Sequence, residues 1–186
     1  YTPDKEWLND EARVWPVVID PTVTSVTIVQ QNQIDNYVYD GQTAPLNDSS
    51  PDLYVGCYSR GGTLRDHYSY WKLQTLPTIP NNCILTSASF NIRLKNGTSS
   101  MGSIELYGAG HDWQSNTLKW ANRPYMNLYM GKISTVPSGT EKWLTYVHNN
   151  LDTTMRGWYD SPDKNYGLLL KYATCVNDYN VLYSSD

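Results

Sequence analysis

Residues 84–109, ILTSASFNIRLKNGTSSMGSIELYGA, decide the fold class of this 186-residue chain. Apolar side chains alternate with polar ones in Ala88–Leu94 and again in Ser103–Ala109. Successive side chains of a strand point to opposite faces, so this alternation indicates two half-buried β-strands. Asn96-Gly97 between them is a typical hairpin turn sequence. We therefore expect the two strands to pair with each other as a hairpin.

The rest of the chain continues this pattern. Short runs rich in Val, Ile, Thr and Tyr are separated by clusters of Gly, Pro, Asn, Asp and Ser, and long helical periodicity is almost absent. The predicted strands are Val14–Ile19, Val23–Val29, Asn36–Tyr39, Asp52–Tyr58, Tyr68–Leu73, Ile84–Leu94, Ser103–Ala109, Lys142–Val147, Tyr166–Tyr172 and Asn180–Tyr183. One short helix is expected near Asp152–Tyr159, capped by Asp152 and ended by Ser161-Pro162. The prediction is an all-β fold, a two-sheet antiparallel β-sandwich with one short helix.

Length and charge limit the organisation and the partners. The chain has the length of one domain with a full hydrophobic core. Residues 1–22 are polar and contain Asp20-Pro21, and we expect them to be a lead-in arm to a module formed by residues 23–186. The net charge of -4 comes from scattered acids and bases, which argues against a nucleic-acid partner. No apolar run approaches the roughly 18 residues of a membrane span, and we expect the isolated domain to be a monomer.

The three cysteines leave two arrangements open. Cys57, Cys83 and Cys175 cannot all pair within one chain. One disulfide with a free thiol is possible, and three buried thiols are the arrangement we favour. No Cys-x-x-Cys spacing indicates zinc. No cofactor is expected, although the acid-bearing residues 47–52 would suit a structural calcium ion.

Aromatic usage points to a possible binding surface. The chain has 16 Tyr and 7 Trp but 1 Phe, and Tyr and Trp are favoured where one side of the ring stays wet. Strand alternation separates one set of residues from the aliphatic positions: Tyr54, Tyr58, Tyr68, Tyr70, Arg93, Glu105 and Tyr107. We expect these seven residues to form one outward patch. Flat rings beside hydrogen-bonding groups are suited to a pyranose ring. The alternative is that the tyrosines pack under loops or against a neighbouring domain.

Catalytic motifs are missing from the sequence. No arrangement pairs Glu105 with Asp112 as glycoside hydrolysis would require. His111-Asp112 is not a dyad, because adjacent residues of a strand point to opposite faces. Neither a nucleophile elbow nor a zinc-protease helix is present. We expect no catalytic residue and no enzymatic activity.

The segment Asp112–Pro124, DWQSNTLKWANRP, resembles the signature of DNRLRE domains. Asp35–Val38, Trp71–Leu73 and Asn165–Leu170 match the same family, and residues 7–22 resemble the segment that precedes surface modules in bacterial RHS/YD-repeat and wall-associated proteins. The resemblance implies a jelly-roll-like module, similar to some carbohydrate-binding modules, in a secreted cell-surface protein. Trp113, Trp120 and Trp158 are then expected to be buried core anchors.

Two functions follow as hypotheses. The first is a non-catalytic carbohydrate-binding module that binds a polysaccharide at the bacterial cell surface, for which the tyrosine-rich set argues. The second is a structural spacer or interaction domain of an RHS-repeat-type surface protein, which contacts neighbouring domains and has no small ligand. The lead-in residues 15–22 favour the second.

Overall fold

The computed structural model of the protein describes residues 33–46, 51–80, 83–97, 102–133 and 141–184. Within these ranges it has nine strands and one α-helix. They are β1 (Gln33–Tyr39), β2 (Asp52–Arg60), β3 (Thr63–Leu73), β4 (Phe90–Gly97), β5 (Ile104–Ala109), β6 (Met126–Ile133), β7 (Lys142–Tyr146), α1 (Asn149–Asp160), β8 (Leu168–Tyr172) and β9 (Asp178–Tyr183). The predicted all-β, sandwich-like fold with one short helix is confirmed. The helix is too short to cross a membrane, and no other helix among the described residues could do so.

The strands follow the order β6-β5-β8-β3-β2-β9-β4-β7, and β1 is attached to β3. All named pairings are antiparallel. The long strand β3 connects the two halves of this order: its first residues pair with β2, and its later residues pair with β1 on one edge and β8 on the other. The end strands β6 and β7 lie close together, so the sheet nearly closes.

The main core lies between the two halves of the sheet. Its buried side chains come from β2 to β9 and from α1, and they include Leu53, Val55, Ile92, Leu94, Ile104, Leu106, Leu168, Leu170, Leu182, Leu151 and Trp158. The aliphatic positions that strand alternation assigned to the core are therefore buried. Trp158, 4% exposed, closes one side of this core from α1, as predicted.

A second, smaller core covers the opposite face of β3 and β8. Tyr70 and Leu169 lie on that face, and Trp113 and Leu118 pack over them from residues 110–125. Trp113 is 5% exposed and confirms the prediction that it is a core anchor. Trp120 packs against the margin of this cluster and is less fully buried than Trp113, which agrees with the prediction that it is mostly buried. Here the sheet is buried on both faces.

The predicted hairpin around Asn96-Gly97 is wrong. β4 pairs with β7 and β9, whereas β5 pairs with β6 and β8. Both edges of each strand are thus occupied by other strands, and β4 and β5 are not partners. The free energy gained from a favourable turn sequence is small compared with that of the backbone hydrogen bonds and side-chain packing in these four strand pairs, so the turn preference does not decide the pairing. The strand predicted from Ile84 also begins later, at Phe90.

Other strand predictions are confirmed with shifted ends, but β6 was not predicted. Most of its side chains are exposed, and Met130 is the one that is fully buried. A strand with so few core positions shows no clear alternation of apolar and polar residues. The predicted strands Val14–Ile19 and Val23–Val29, and the predicted lead-in arm of residues 1–22, lie outside the described residues.

The helix cap differs from the predicted one. α1 begins at Asn149, and the Nδ1 atom of His148 accepts a hydrogen bond from the Asn150 backbone N–H at 3.1 Å. The carboxylate of Asp152 instead accepts a hydrogen bond from the Ala88 backbone N–H at 2.7 Å. Asp152 therefore anchors the segment before β4 and does not cap the helix. The helix ends at Asp160, before Ser161-Pro162, as predicted.

The cysteines form one disulfide and leave one free thiol. Cys57 of β2 is bonded to Cys175, which lies just before β9, and Cys83 is exposed and free. The favoured arrangement of three buried thiols is therefore wrong. The bond joins residues 118 positions apart and fixes the approach of the chain to β9.

Replacing both Cys57 and Cys175 by Ser should lower the free energy of unfolding by about 2–5 kcal/mol, because the bond closes a long loop and restricts the unfolded chain. Urea unfolding followed by tryptophan fluorescence measures this change. Cys83→Ser is the matched control, and its exposed side chain predicts a change within about 0.5 kcal/mol. Equal stability of the double variant and the wild type would contradict the prediction.

Candidate functional site

The seven residues predicted to form one patch are separated in the structure. Tyr54, Tyr58 and Arg93 belong to the β2-β9-β4 half of the sheet, whereas Tyr68, Glu105 and Tyr107 belong to β3 and β5 in the other half. Tyr70 is 0% exposed and cannot contact a ligand. The single patch is therefore wrong. Alternation identifies side chains that share one face of a strand, but it does not identify the strands that share a sheet.

Tyr54 and Tyr58 pack in a cluster of rings around the buried His67. The tyrosine cluster consists of Tyr37, Tyr39, Tyr54, Tyr58 and Tyr179. The ring of Tyr58 stacks on His67 with centroids 4.3 Å apart. Burial lowers the pKa of His67 to about 4, so its imidazole is neutral at physiological pH. The faces of these rings are partly covered because the rings pack against one another.

Arg93 is engaged within the protein. Its guanidinium forms an ion pair with Glu141 and lies 5.0 Å from the ring centre of Tyr183. The hydroxyl of Tyr183 donates a hydrogen bond to the same carboxylate. Lys95 of the same strand pairs with Asp52 at 2.6 Å and also lies over Tyr183. The charges on this part of β4 are therefore compensated by neighbours.

Tyr68 and Glu105 are connected by a row of side chains that crosses four adjacent strands. Glu105 of β5 is directly opposite Lys171 of β8 and, on its other edge, Lys132 of β6. The amine of Lys171 lies 6.0 Å from the ring centre of Tyr68 on β3. Neighbouring strands are about 4.8 Å apart, so the row is about 14 Å long. The row thus consists of the ring of Tyr68 followed by two lysines with a carboxylate between them.

A second row of aromatic residues runs beside this charged row. Tyr107 of β5 is opposite Tyr129 of β6, and their rings meet edge to face at 5.4 Å. The hydroxyl of Tyr107 donates a hydrogen bond to Glu105 at 2.9 Å. Burial and this bond raise the pKa of Tyr107 to about 12, so the phenol stays protonated. We define the ladder face as Tyr68, Lys171, Glu105, Lys132, Tyr107 and Tyr129.

Residues 110–125 form a wall beside the ladder face. The ring of Trp120 lies 5.2 Å from that of Tyr68, and the guanidinium of Arg123 lies 3.7 Å from the ring centre of Trp120. Directly behind this wall, the hydroxyl of Tyr70 donates to the Pro124 carbonyl at 2.8 Å. The wall therefore covers Tyr70 and leaves Tyr68 partly buried at its margin.

A buried lysine anchors the other end of this wall. The amine of Lys72 donates to the Asp112 carboxylate at 2.6 Å and to the Trp113 carbonyl at 2.9 Å. The indole N–H of Trp113 donates to the Tyr166 carbonyl at 2.9 Å. Strand alternation puts Lys72 on the same face of β3 as Tyr68 and Tyr70 but does not reveal these partners. Its partners lie about 40 positions away, so no local signal could have identified them.

The described residues offer one candidate metal cluster and the neighbouring pair His111-Asp112, and neither has the geometry of a metal or catalytic site. Within them, Cys57, Asp66 and Cys175 place potential ligand atoms within 4.8 Å of one another, but the two cysteines share a disulfide and offer no thiolate. The ring of His111 contacts the backbone carbonyl of Asp112, whose carboxylate binds Lys72. Most of the loop suggested for calcium, residues 47–50, lies outside the described ranges.

Comparison with known proteins identifies the family. The model of carbohydrate-binding module family 96 matches residues 26–185, and the chain belongs to this family. Two curated relatives are the tRNA3(Ser)-specific nuclease WapA of Bacillus spizizenii and the tRNA nuclease WapA of Bacillus subtilis strain 168. Each is 28% identical over 177 residues, which cover 91% of this chain and 7% of the relative. The chain thus spans a small part of these much longer proteins.

Replacing His67 by Phe should reduce the loss of stability on acidification. The folded protein lowers the pKa of His67 from 6.5 to about 4 and so favours the neutral ring. Protonating His67 therefore costs more in the folded protein than in the unfolded chain. The contribution of His67 to the free energy of unfolding is fully present above pH 6.5, and about 1–3 kcal/mol of it is lost as the pH falls to 4. Urea unfolding at about pH 7 and about pH 4.5 measures it. His111→Phe, at an exposed position, is the control, and an identical pH dependence in both variants would refute the assignment.

Proposed function

We propose that this member of carbohydrate-binding module family 96 binds a polysaccharide on its ladder face without catalysing a reaction on it. The observation that carries this proposal is the charged row Lys171, Glu105 and Lys132 beside the rings of Tyr107 and Tyr129. The family match over residues 26–185 supports carbohydrate as the ligand class.

The chemistry of the ladder face suits a sugar chain. The C–H face of a pyranose ring packs against aromatic side chains, and its hydroxyls need both donors and acceptors. Lys171 and Lys132 supply donors, and the carboxylate of Glu105 supplies acceptors. Because Tyr107 already donates to Glu105, both side chains are held in position before a ligand arrives.

The ladder face retains three of the seven predicted ligand residues and adds others. Tyr68, Glu105 and Tyr107 stay in the proposed site, and Lys171, Lys132 and Tyr129 join them. Tyr70 is excluded by its burial. Tyr54, Tyr58 and Arg93 are left out because their rings and charge are engaged with protein neighbours.

The setting we propose is a module of a larger secreted bacterial surface protein. A disulfide such as Cys57–Cys175 persists in oxidising compartments outside the cytosol. The similar proteins are bacterial, and this chain corresponds to 7% of their length. We place the nuclease activity that their names state outside this part, because a net charge of -4 gives nucleic acid little attraction.

A second candidate function is a spacer or interaction domain of an RHS-repeat-type surface protein. The small share of the relatives' length that the chain covers favours it. Exposed apolar side chains on and beside β7, including Trp143 and Val147, could contact a neighbouring domain. This function requires no glycan ligand, which separates it experimentally from the first.

Tyr68→Ala and Tyr107→Ala should each weaken polysaccharide binding by about 1–2 kcal/mol, roughly 5- to 30-fold in Kd, because each removes a stacking ring. Affinity electrophoresis against xylan, mannan, β-glucan, pectin and alginate identifies a ligand, and calorimetry measures Kd. Tyr58→Ala, in the tyrosine cluster, is the comparison variant and should bind as the wild type does.

Two results would count against this proposal. A loss of binding in Tyr58→Ala, with Tyr68→Ala and Tyr107→Ala unaffected, would move the site to the tyrosine cluster. Failure of the wild-type domain to bind any polysaccharide of the panel would favour the spacer function. Circular dichroism of each variant establishes that the fold is retained.

A further inference from the structure

We infer that the cavity between β6 and β7 receives the terminal sugar of the bound polysaccharide, so that the module recognises chain ends. This inference rests on the proposed binding at the ladder face and specifies which part of the polymer is bound. It depends on the cavity's position, size and polar lining.

The cavity has a volume of about 330 Å³. Tyr129 and Lys132 of β6 line one side, and Thr145, Val147 and His148 line the other. Pockets for small ligands measure about 300–1,000 Å³, so this one lies at the lower limit. That size suits one small unit, such as a single sugar, better than a longer segment of polymer.

The cavity exists because the sheet does not close here. Among the described residues no ladder of backbone hydrogen bonds joins β6 to β7, although the strands are neighbours. The side-chain amide of Asn150 donates to the Tyr129 carbonyl at 2.8 Å and ties the start of α1 to β6. Gly131, with φ +118°, has no side chain to extend toward His148 and Tyr146. These features keep a gap with backbone polar groups along its sides.

The ladder face and the cavity share residues. Lys132 ends the charged row and Tyr129 ends the aromatic row, and both also line the cavity. The ring of Tyr129 meets Tyr107 at 5.4 Å on one side and His148 at 6.0 Å on the other. A chain lying along the rows from Tyr68 therefore arrives at the mouth of the cavity.

The lining matches a hydroxyl-rich unit. The hydroxyl of Thr145 donates to Asn91 and keeps its oxygen as an acceptor. The Nδ1 atom of His148 is occupied by the Asn150 N–H, which leaves Nε2 for a ligand. The amine of Lys132 adds a donor, and the exposed ring of Tyr129 offers an apolar surface. Donors, acceptors and one ring in a small space are what a terminal sugar requires.

Counting chain ends tests the inference. The probe is the polysaccharide of the panel that the wild-type domain binds most tightly, either intact or partly hydrolysed by acid. At equal mass, the number of domains bound at saturation should rise in proportion to the number of chain ends. A capacity that does not change with hydrolysis would overturn chain-end recognition and leave polysaccharide binding intact. No binding to any polysaccharide would instead overturn the proposed function.

A pair of matched variants tests the cavity itself. Val147→Trp places a large ring at the cavity, where Val147 is 71% exposed. It should weaken binding of trisaccharides from the same polymer at least tenfold. Val176→Trp makes the same substitution at a 38% exposed position near the Cys57–Cys175 disulfide and should change binding less than twofold. Wild-type binding by Val147→Trp, or equal losses in both variants, would overturn the assignment.

Discussion

The covering of β3 and β8 by residues 110–125 determines which part of this sheet face is buried and which part stays open. Tyr70 and Leu169 would otherwise be solvent-exposed on the side opposite the main core. Burying the amine of Lys72 would be costly without partners, and the Asp112 carboxylate and the Trp113 carbonyl supply them. The cover ends at Trp120, beside Tyr68. One sheet face is thereby divided into an inner core and an open part, on which the proposed site lies.

Strand alternation predicted the burial of individual side chains well, since it depends on local backbone geometry. Leu53, Ile92 and Leu106 all lie in the main core, as their spacing indicated. The same reasoning could not distinguish Tyr68 from Tyr70, which share one face of β3. Tyr70 is buried because a segment some 50 residues away packs over it, and this is a tertiary interaction. The failed pairing of β4 with β5 has the same origin.

Three of the six residues of the ladder face could not be predicted from the sequence pattern. Lys171 is a single polar residue in an otherwise apolar strand, and its place beside Tyr68 follows from the pairing of β8 with β3. Tyr129 and Lys132 lie on β6, whose side chains are mostly exposed and therefore lack the alternation that reveals a strand. A strand at the end of a sheet contributes little to the core, which makes it both hard to predict and available for binding.

The excess of tyrosine over phenylalanine does not by itself indicate a binding platform. Tyr70 and Tyr146 are almost fully buried, and their hydroxyls donate to the carbonyls of Pro124 and Ile104. In these positions the hydroxyl joins distant backbone segments, a bond that phenylalanine could not form. Tyr107 differs because its hydroxyl donates to Glu105, a side chain on the open ladder face. The hydroxyls of the two buried tyrosines thus bind backbone carbonyls, whereas the hydroxyl of Tyr107 binds a side chain that belongs to the proposed site.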